Sequence, residues 1–151
     1  MQNRLQIVTS LAVAAVLAAC SDVPMAEAPA DQAARAFPAP QPGLAALYVY
    51  RDSGVLGAAQ PFSASVGQRT LGQLAPATFF LVDLPPGQYD VRCTGQENSA
   101  AKLVDLAPGE TRFVELSVRL SVGMPRCSLA EAPSEQGRAA VAAGHRAQDV
   151  R

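Results

Sequence analysis

Between residues 43 and 120 apolar and polar side chains trade places at every step along several short runs. Phe62, Ala64 and Val66 fall on one side with Ser63 and Ser65 on the other. Tyr89, Val91 and Cys93 oppose Gln88, Asp90 and Arg92, and Val114, Leu116, Val118 and Leu120 oppose Glu115, Ser117 and Arg119. A period of two sends successive side chains to opposite faces, so these runs are strands with one face covered. Further strand-like runs are LAALYVY (44–50), ATFFLVDL (77–84) and AAKLVDL (100–106). Seven of the eight aromatic residues lie in this interval, which must therefore hold the core; Phe37 is the exception. The expectation is an all-β fold, a small antiparallel β-sandwich over residues 43–130.

Turn chemistry separates the runs. VDLPPG at 82–87 recurs as VDLAPG at 104–109, each time setting Pro then Gly where a type II turn needs a fixed φ and then a positive one. The residues after the two copies differ, so they read as two similar strand exits, not a duplication. TGQEN at 94–98 and VGQRTLG at 66–72 read as hairpin loops.

Outside the sheet region the composition changes. Arg4 precedes a short uncharged apolar run, Leu5 to Ala19, broken by Gln6, Thr9 and Ser10. A spanning helix needs about 20 apolar residues, so residues 1–19 read as a secretory signal peptide. Leu17, Ala18, Ala19 and Cys20 resemble the lipobox of bacterial lipoproteins. That resemblance implies cleavage before Cys20, lipidation of its thiol and attachment to the membrane through the acyl chains. Ser21 in place of aspartate implies the outer membrane, facing the periplasm. The alternative is a secreted chain cut near Ala19 with Cys20 left as a thiol. Residues 20–42, rich in Ala and Pro and poor in large apolar side chains, read as a disordered linker that holds the domain away from the bilayer.

Residues 131–151 are an alanine-rich tail, a candidate short helix from Pro133. Gly137 and Gly144 weaken it and Val141 is its one large apolar residue before Val150, so fraying or weak docking is expected. His145, the single histidine, reads as solvated there.

The runs LYVYR, FSASVGQRTLGQL and FFLVDLPPGQYDV resemble the bacterial lipoprotein family DUF2846. That family has a tyrosine-bearing first strand followed by arginine, a glycine-bearing hairpin and a Leu-Pro-Pro-Gly-x-Tyr corner. Tyr48, Tyr50, Arg51, Gly72, Leu74, Leu84, Pro85, Pro86, Gly87 and Tyr89 carry the likeness, while Val66 and Gly67 stand where the family often has Asp-Gly. The corner is also similar to those of transthyretin-like and PEGA-like sandwiches. The resemblance implies a fold and an anchor and brings no activity with it.

Chemistry is sparse. The formal net charge is −1 and the arginines are scattered singly, which gives no case for nucleic acid as a partner. Cys93 and Cys127 form an even pair in an exported chain, a disulfide, with two buried free thiols as the alternative. Joining them to His145 in a metal site matches no zinc-ligand spacing. Asp52, Ser53 and Gly54 read as a turn, and Asp83 and Asp105 as outward residues of their strands. No catalytic residue, metal or cofactor is assigned. The expected role is a non-catalytic envelope module that binds a protein or glycan. A small envelope hydrolase using the loop around Ser53, and an inhibitor or accessory subunit of an outer-membrane complex, are the alternatives. Tyr48 and Tyr50, if LAALYVY is an edge strand, and Arg51 and Asp52 in the adjoining loop are the candidate partner contacts; the other reading of LAALYVY is a central strand buried on both faces.

Overall fold

The computed structural model describes residues 23–150. The elements in chain order are α1 (Ala28–Arg35), β1 (Ala45–Arg51), β2 (Phe62–Val66), β3 (Arg69–Leu74), β4 (Thr78–Leu84), β5 (Gly87–Thr94), β6 (Ser99–Leu106), β7 (Thr111–Ser121), β8 (Met124–Ala132), α2 (Ser134–Ala143) and β9 (His145–Arg146). They make two sheets, ordered β8-β7-β1-β4-β9 and β3-β2-β5-β6. Inward residues such as Leu47, Val49, Phe62, Phe80, Val91 and Leu116 form the core between them. The sandwich-like, mostly β architecture is thus as expected.

The pairing is not purely antiparallel: β1 runs parallel to β7, and β4 parallel to β9. Parallel neighbours need a long crossover, and the whole of the four-stranded sheet lies in the chain between β1 and β7. VGQRTLG is not only a loop. Its second half is β3, paired with β2 across a tight turn at Gly67 and Gln68, where Gly67 has φ 56. The two proline-glycine corners also differ. Glu110 N–H donates to Ala107 at 3.1 Å and Gly109 has φ 73, a type II turn. In the other copy Gly87 has φ 153 and already pairs in β5, and the Tyr89 hydroxyl braces the corner by donating to the Pro85 carbonyl at 2.8 Å.

LAALYVY is a central strand. Every residue of β1 is buried, because Leu47, Val49 and Arg51 face the other sheet while Tyr48 and Tyr50 face a second core under the helices. That second core joins Tyr48, Tyr50, Phe79 and Phe113 to Ala34 and Val141. Two expectations fail here for one reason. The described part of the linker, residues 23–42, is not a spacer, and the tail does not fray. Alanine is the best helix former, and a helix with small residues can lie flat on an aromatic sheet face that supplies the apolar area itself. Ala34 of α1 lies on Tyr48, whose hydroxyl donates to the Ala34 carbonyl at 2.8 Å. Phe37 follows, its ring 5.7 Å from Tyr48 and 6.3 Å from Phe113.

Both open edges of the sandwich are closed. On one side Cys93 and Cys127 are disulfide-bonded. The bridge joins β5 to β8, and β8 extends the sheet beyond the last expected strand and moves the domain's end past residue 130. Asn98 reinforces it, its amide donating to Cys127 O at 2.8 Å and accepting from Cys127 N–H at 2.9 Å. On the other side residues 145–150 run down the edge. Met25 pairs with Ala147, and Val150 N–H donates to Leu71 O at 2.8 Å.

Gly137 lets α2 approach. A Cβ built there would fall 2.3 Å from the Phe113 ring. Glycine normally costs a helix about 1 kcal/mol against alanine, yet here Gly137→Ala is expected to destabilise by about 1–3 kcal/mol through overpacking. A lower urea midpoint at unchanged m-value checks it; a gain in stability would show that α2 does not bear on Phe113.

Candidate functional site

The inward face of β1 ends in a cation. Arg51 is 2% exposed, lies at the mouth between the sheets, and its guanidinium sits 5.2 Å from the Phe62 ring centroid. Its Nη1 donates to the carbonyls of Gln60 at 2.8 Å and Leu74 at 3.3 Å; its Nη2 donates to those of Gly57 at 2.8 Å and Leu56 at 3.2 Å. Burial pulls its pKa below the ordinary value, opposed by the neighbouring Asp52 charge. The fork geometry of a guanidinium suits this set of carbonyls, and the effect is to wind residues 52–61 around one side chain.

That loop meets the β7–β8 hairpin. A Cβ on Gly57, which has φ 63, would fall 3.0 Å from Val118 and 3.1 Å from Pro125. Leu56 and Val55 precede it and are exposed. β7 pairs with β1 only as far as Leu116 opposite Arg51, so residues 117–128 continue past the sheet as a two-stranded ribbon. Of the eight exposed large apolar side chains among the described residues, Val55, Leu56, Leu120, Val122 and Met124 are at this one end. Single exposed apolar residues are ordinary on a protein surface; a concentration of them at one end is not.

The expected contacts divide accordingly. Tyr48 and Tyr50 are buried at 0% and 2%, so neither they nor Arg51 can touch a partner. The Tyr50 hydroxyl donates to Glu115 at 3.3 Å, and burial followed by the Glu115 charge raises its pKa. Asp52 is exposed and accepts from Gly54 N–H at 3.1 Å, which makes Asp52, Ser53 and Gly54 a turn. Cys20 lies outside the described residues. Among the described residues no group of three or more side chains could hold a metal ion.

A polar cluster that the sequence did not reveal sits at the opposite edge. Asp31 of α1 is 7% exposed and accepts from Arg146 N–H at 2.7 Å, lies 3.0 Å from His145 Nδ1, and pairs with Arg35 at 3.1 Å. Burial by itself raises its pKa, but the bonds from His145 and Arg146 and the Arg35 charge more than offset that and lower it. A buried carboxylate orienting an imidazole is half of a catalytic unit. The cleft beside it is lined by Met25, Ala26, Ala28, Gln32 and Arg35, and among the described residues that line it none carries a hydroxyl or thiol to act as nucleophile. The arrangement does one visible thing: it latches α1 to β9. Sequence offered no cue, since the partners are more than a hundred residues apart.

No known family model matches the chain. It is similar to an uncharacterized protein of Haemophilus influenzae, 26% identical over 131 residues that cover 87% of this chain and 77% of that protein.

Two outcomes are expected. Arg51→Ala leaves carbonyls without their donor and the loop without its centre, and should cost about 3 kcal/mol in chemical denaturation; an unchanged midpoint would contradict this role. Asp31, whose folded pKa is lowered, contributes stability that is complete above the ordinary carboxylate pKa and is lost as pH falls through the folded value. The thermal midpoint should therefore fall below about pH 4, and Asp31→Asn, less stable at neutral pH, should lose that part of the pH dependence.

Proposed function

We propose that this chain is an outer-membrane lipoprotein of the DUF2846 kind, a transthyretin-like or PEGA-like sandwich acting as a non-catalytic binding module on the periplasmic side. The observation that carries the binding role is the concentration of exposed aliphatic side chains at the Arg51 end. The Cys20 lipobox and the tyrosine-braced Pro85 corner support the class.

The anchor and the binding end fit one orientation. Val23 is buried in the main core only three residues after Cys20, a span of about 10 Å at most. A lipid on Cys20 therefore seats the domain directly on the headgroups, with no spacer. Residues 23–26 run beside β9 and antiparallel to it, so the chain leads away from the Arg51 end as it approaches Cys20. β8 is the opposite edge of the same sheet, four strand spacings or about 19 Å away. The apolar end then points into the periplasm.

Cys20→Ala should move the protein from the membrane fraction to a soluble or precursor form; sedimentation with carbonate-washed membranes would refute the lipid anchor. For the binding role, a benzophenone side chain in place of Leu56 in the full chain should crosslink a partner in intact cells, and silence there would count against it.

A further inference from the structure

Among the described residues three other than glycine have positive φ, and two are held there by their surroundings. Phe37, at φ 52, is fixed by its rings of contact with Tyr48 and Phe113. Ala77, at φ 56, has both backbone groups bonded, its N–H to Asp52 O at 3.0 Å and its carbonyl from His145 N–H at 2.9 Å. Val122 is different. It has φ 51 and is fully exposed at 101%. With Gly123 at φ 77 it forms the two-residue loop between the paired Ser121 and Met124. Positive φ at both positions is what a type I′ turn requires, and Asn-Gly is the pair that supplies it. A β-branched residue is sterically disfavoured there, and the turn gains nothing from the isopropyl group. Strain of this kind, with nothing in the fold to justify it, points to a use outside the fold.

A second cost lies just behind the tip. Arg119 and Arg126 are directly opposed across β7 and β8, both exposed, and neither is in an ion pair among the described residues. Like charges in that position repel. Leu120 and Met124 are exposed between them and the turn at 54% and 42%. The ribbon that carries all of these is clamped one rung further in, where Cys127 pairs with Val118 and is bonded to Cys93 and Asn98.

Resting on the binding-module reading, we propose that the β7–β8 tip is a rigid docking finger. It inserts Val122, with Leu120 and Met124, into an apolar pocket of a protein whose rim carries carboxylates for Arg119 and Arg126. On docking, burial of the isopropyl group offsets the backbone cost at Val122 and opposite charge relieves the repulsion between Arg119 and Arg126, while the clamp reduces the entropy lost. A protein pocket fits better than an anionic bilayer, since the tip carries no aromatic side chain to sit among headgroups and its turn has one fixed shape. It also lies at the edge opposite the one where residues 23–26 run.

The test uses the full chain in cells with benzophenone at Met124, the crosslinked peptide being mapped by mass spectrometry. The expected product is one protein, joined at an apolar segment flanked by Asp or Glu. Val122→Asn, which supplies the side chain the turn prefers, should raise the thermal midpoint by about 4 °C and cut the crosslinked fraction at least tenfold. Arg119→Glu with Arg126→Glu should give a similar loss at unchanged midpoint, restored by reversing the partner's mapped carboxylates to lysine. The proposal is overturned if Val122→Asn fails to stabilise, or stabilises with capture unchanged, or if the charge reversal has no effect. A crosslink to a second copy overturns it, as does lipid capture together with Val122-dependent sedimentation on phosphatidylglycerol vesicles. Silence at Met124 with capture at Leu56 sinks the finger and leaves the binding module standing; silence at both sinks both.

Discussion

The contact between the Tyr48 hydroxyl and the Ala34 carbonyl joins α1 to the central strand β1, and much else depends on it. Tyr48 stacks on Phe113, ring centroids 5.1 Å apart and 15° from parallel, and leans on Phe79. A sheet whose outer face presents Tyr48, Tyr50, Phe79 and Phe113 cannot leave that face in water, and burying the four rings is worth several kcal/mol. The two alanine-rich helices are what covers it. Their small residues are the requirement, since a larger side chain at Gly137 or Ala34 would lift a helix off the rings. The tyrosine hydroxyls, which would be costly if left unpaired, end on Ala34 and Glu115.

Strand β1 serves both cores through its alternation. The side that carries Leu47 and Val49 also carries Arg51, and at the end of the strand the apolar core gives way to a buried guanidinium. Its hydrogen bonds all go to carbonyls in residues 56–60 and at Leu74. The loop is therefore positioned by β1, and through Gly57 it supports the ribbon of β7 and β8. Residues 51 and 52 adjoin the exposed apolar end without forming it: one is the frame, the other a turn.

The alternation in β2, β5 and β7 was legible because one face of each strand meets water or a polar rim. The disulfide was legible because the expectation of export sets Cys20 apart and leaves Cys93 and Cys127 as an even pair. What stayed hidden had particular causes. α1 was concealed because composition counts apolar area on the helix and not on the surface it covers. β8 was concealed by Pro125, which tolerates a strand position opposite Leu120 near the ribbon's exposed tip. The apolar end was concealed because Val122-Gly123 carries no ordinary turn signal: valine reads as strand, and only the backbone shows that it is a corner. Asp31 and His145 are joined by topology alone.

The two closures of the sandwich differ in kind, and that bears on function. The β8 side is held by a covalent bond across 34 residues, worth about 4 kcal/mol in the chain-entropy model, together with the Asn98 clip. The β9 side is held by hydrogen bonds and by the Asp31 cluster, whose strength depends on pH. Local opening is drawn from the weaker side, so the α1–β9 edge yields first under acid while the ribbon keeps its shape. The strained tip is thus built on the part of the molecule that is hardest to loosen. Strain at Val122 could not persist on a floppy ribbon, which would relax by twisting; the bond at Cys127, one rung behind Arg126, is what lets the fold hold an aliphatic side chain at a glycine-like corner.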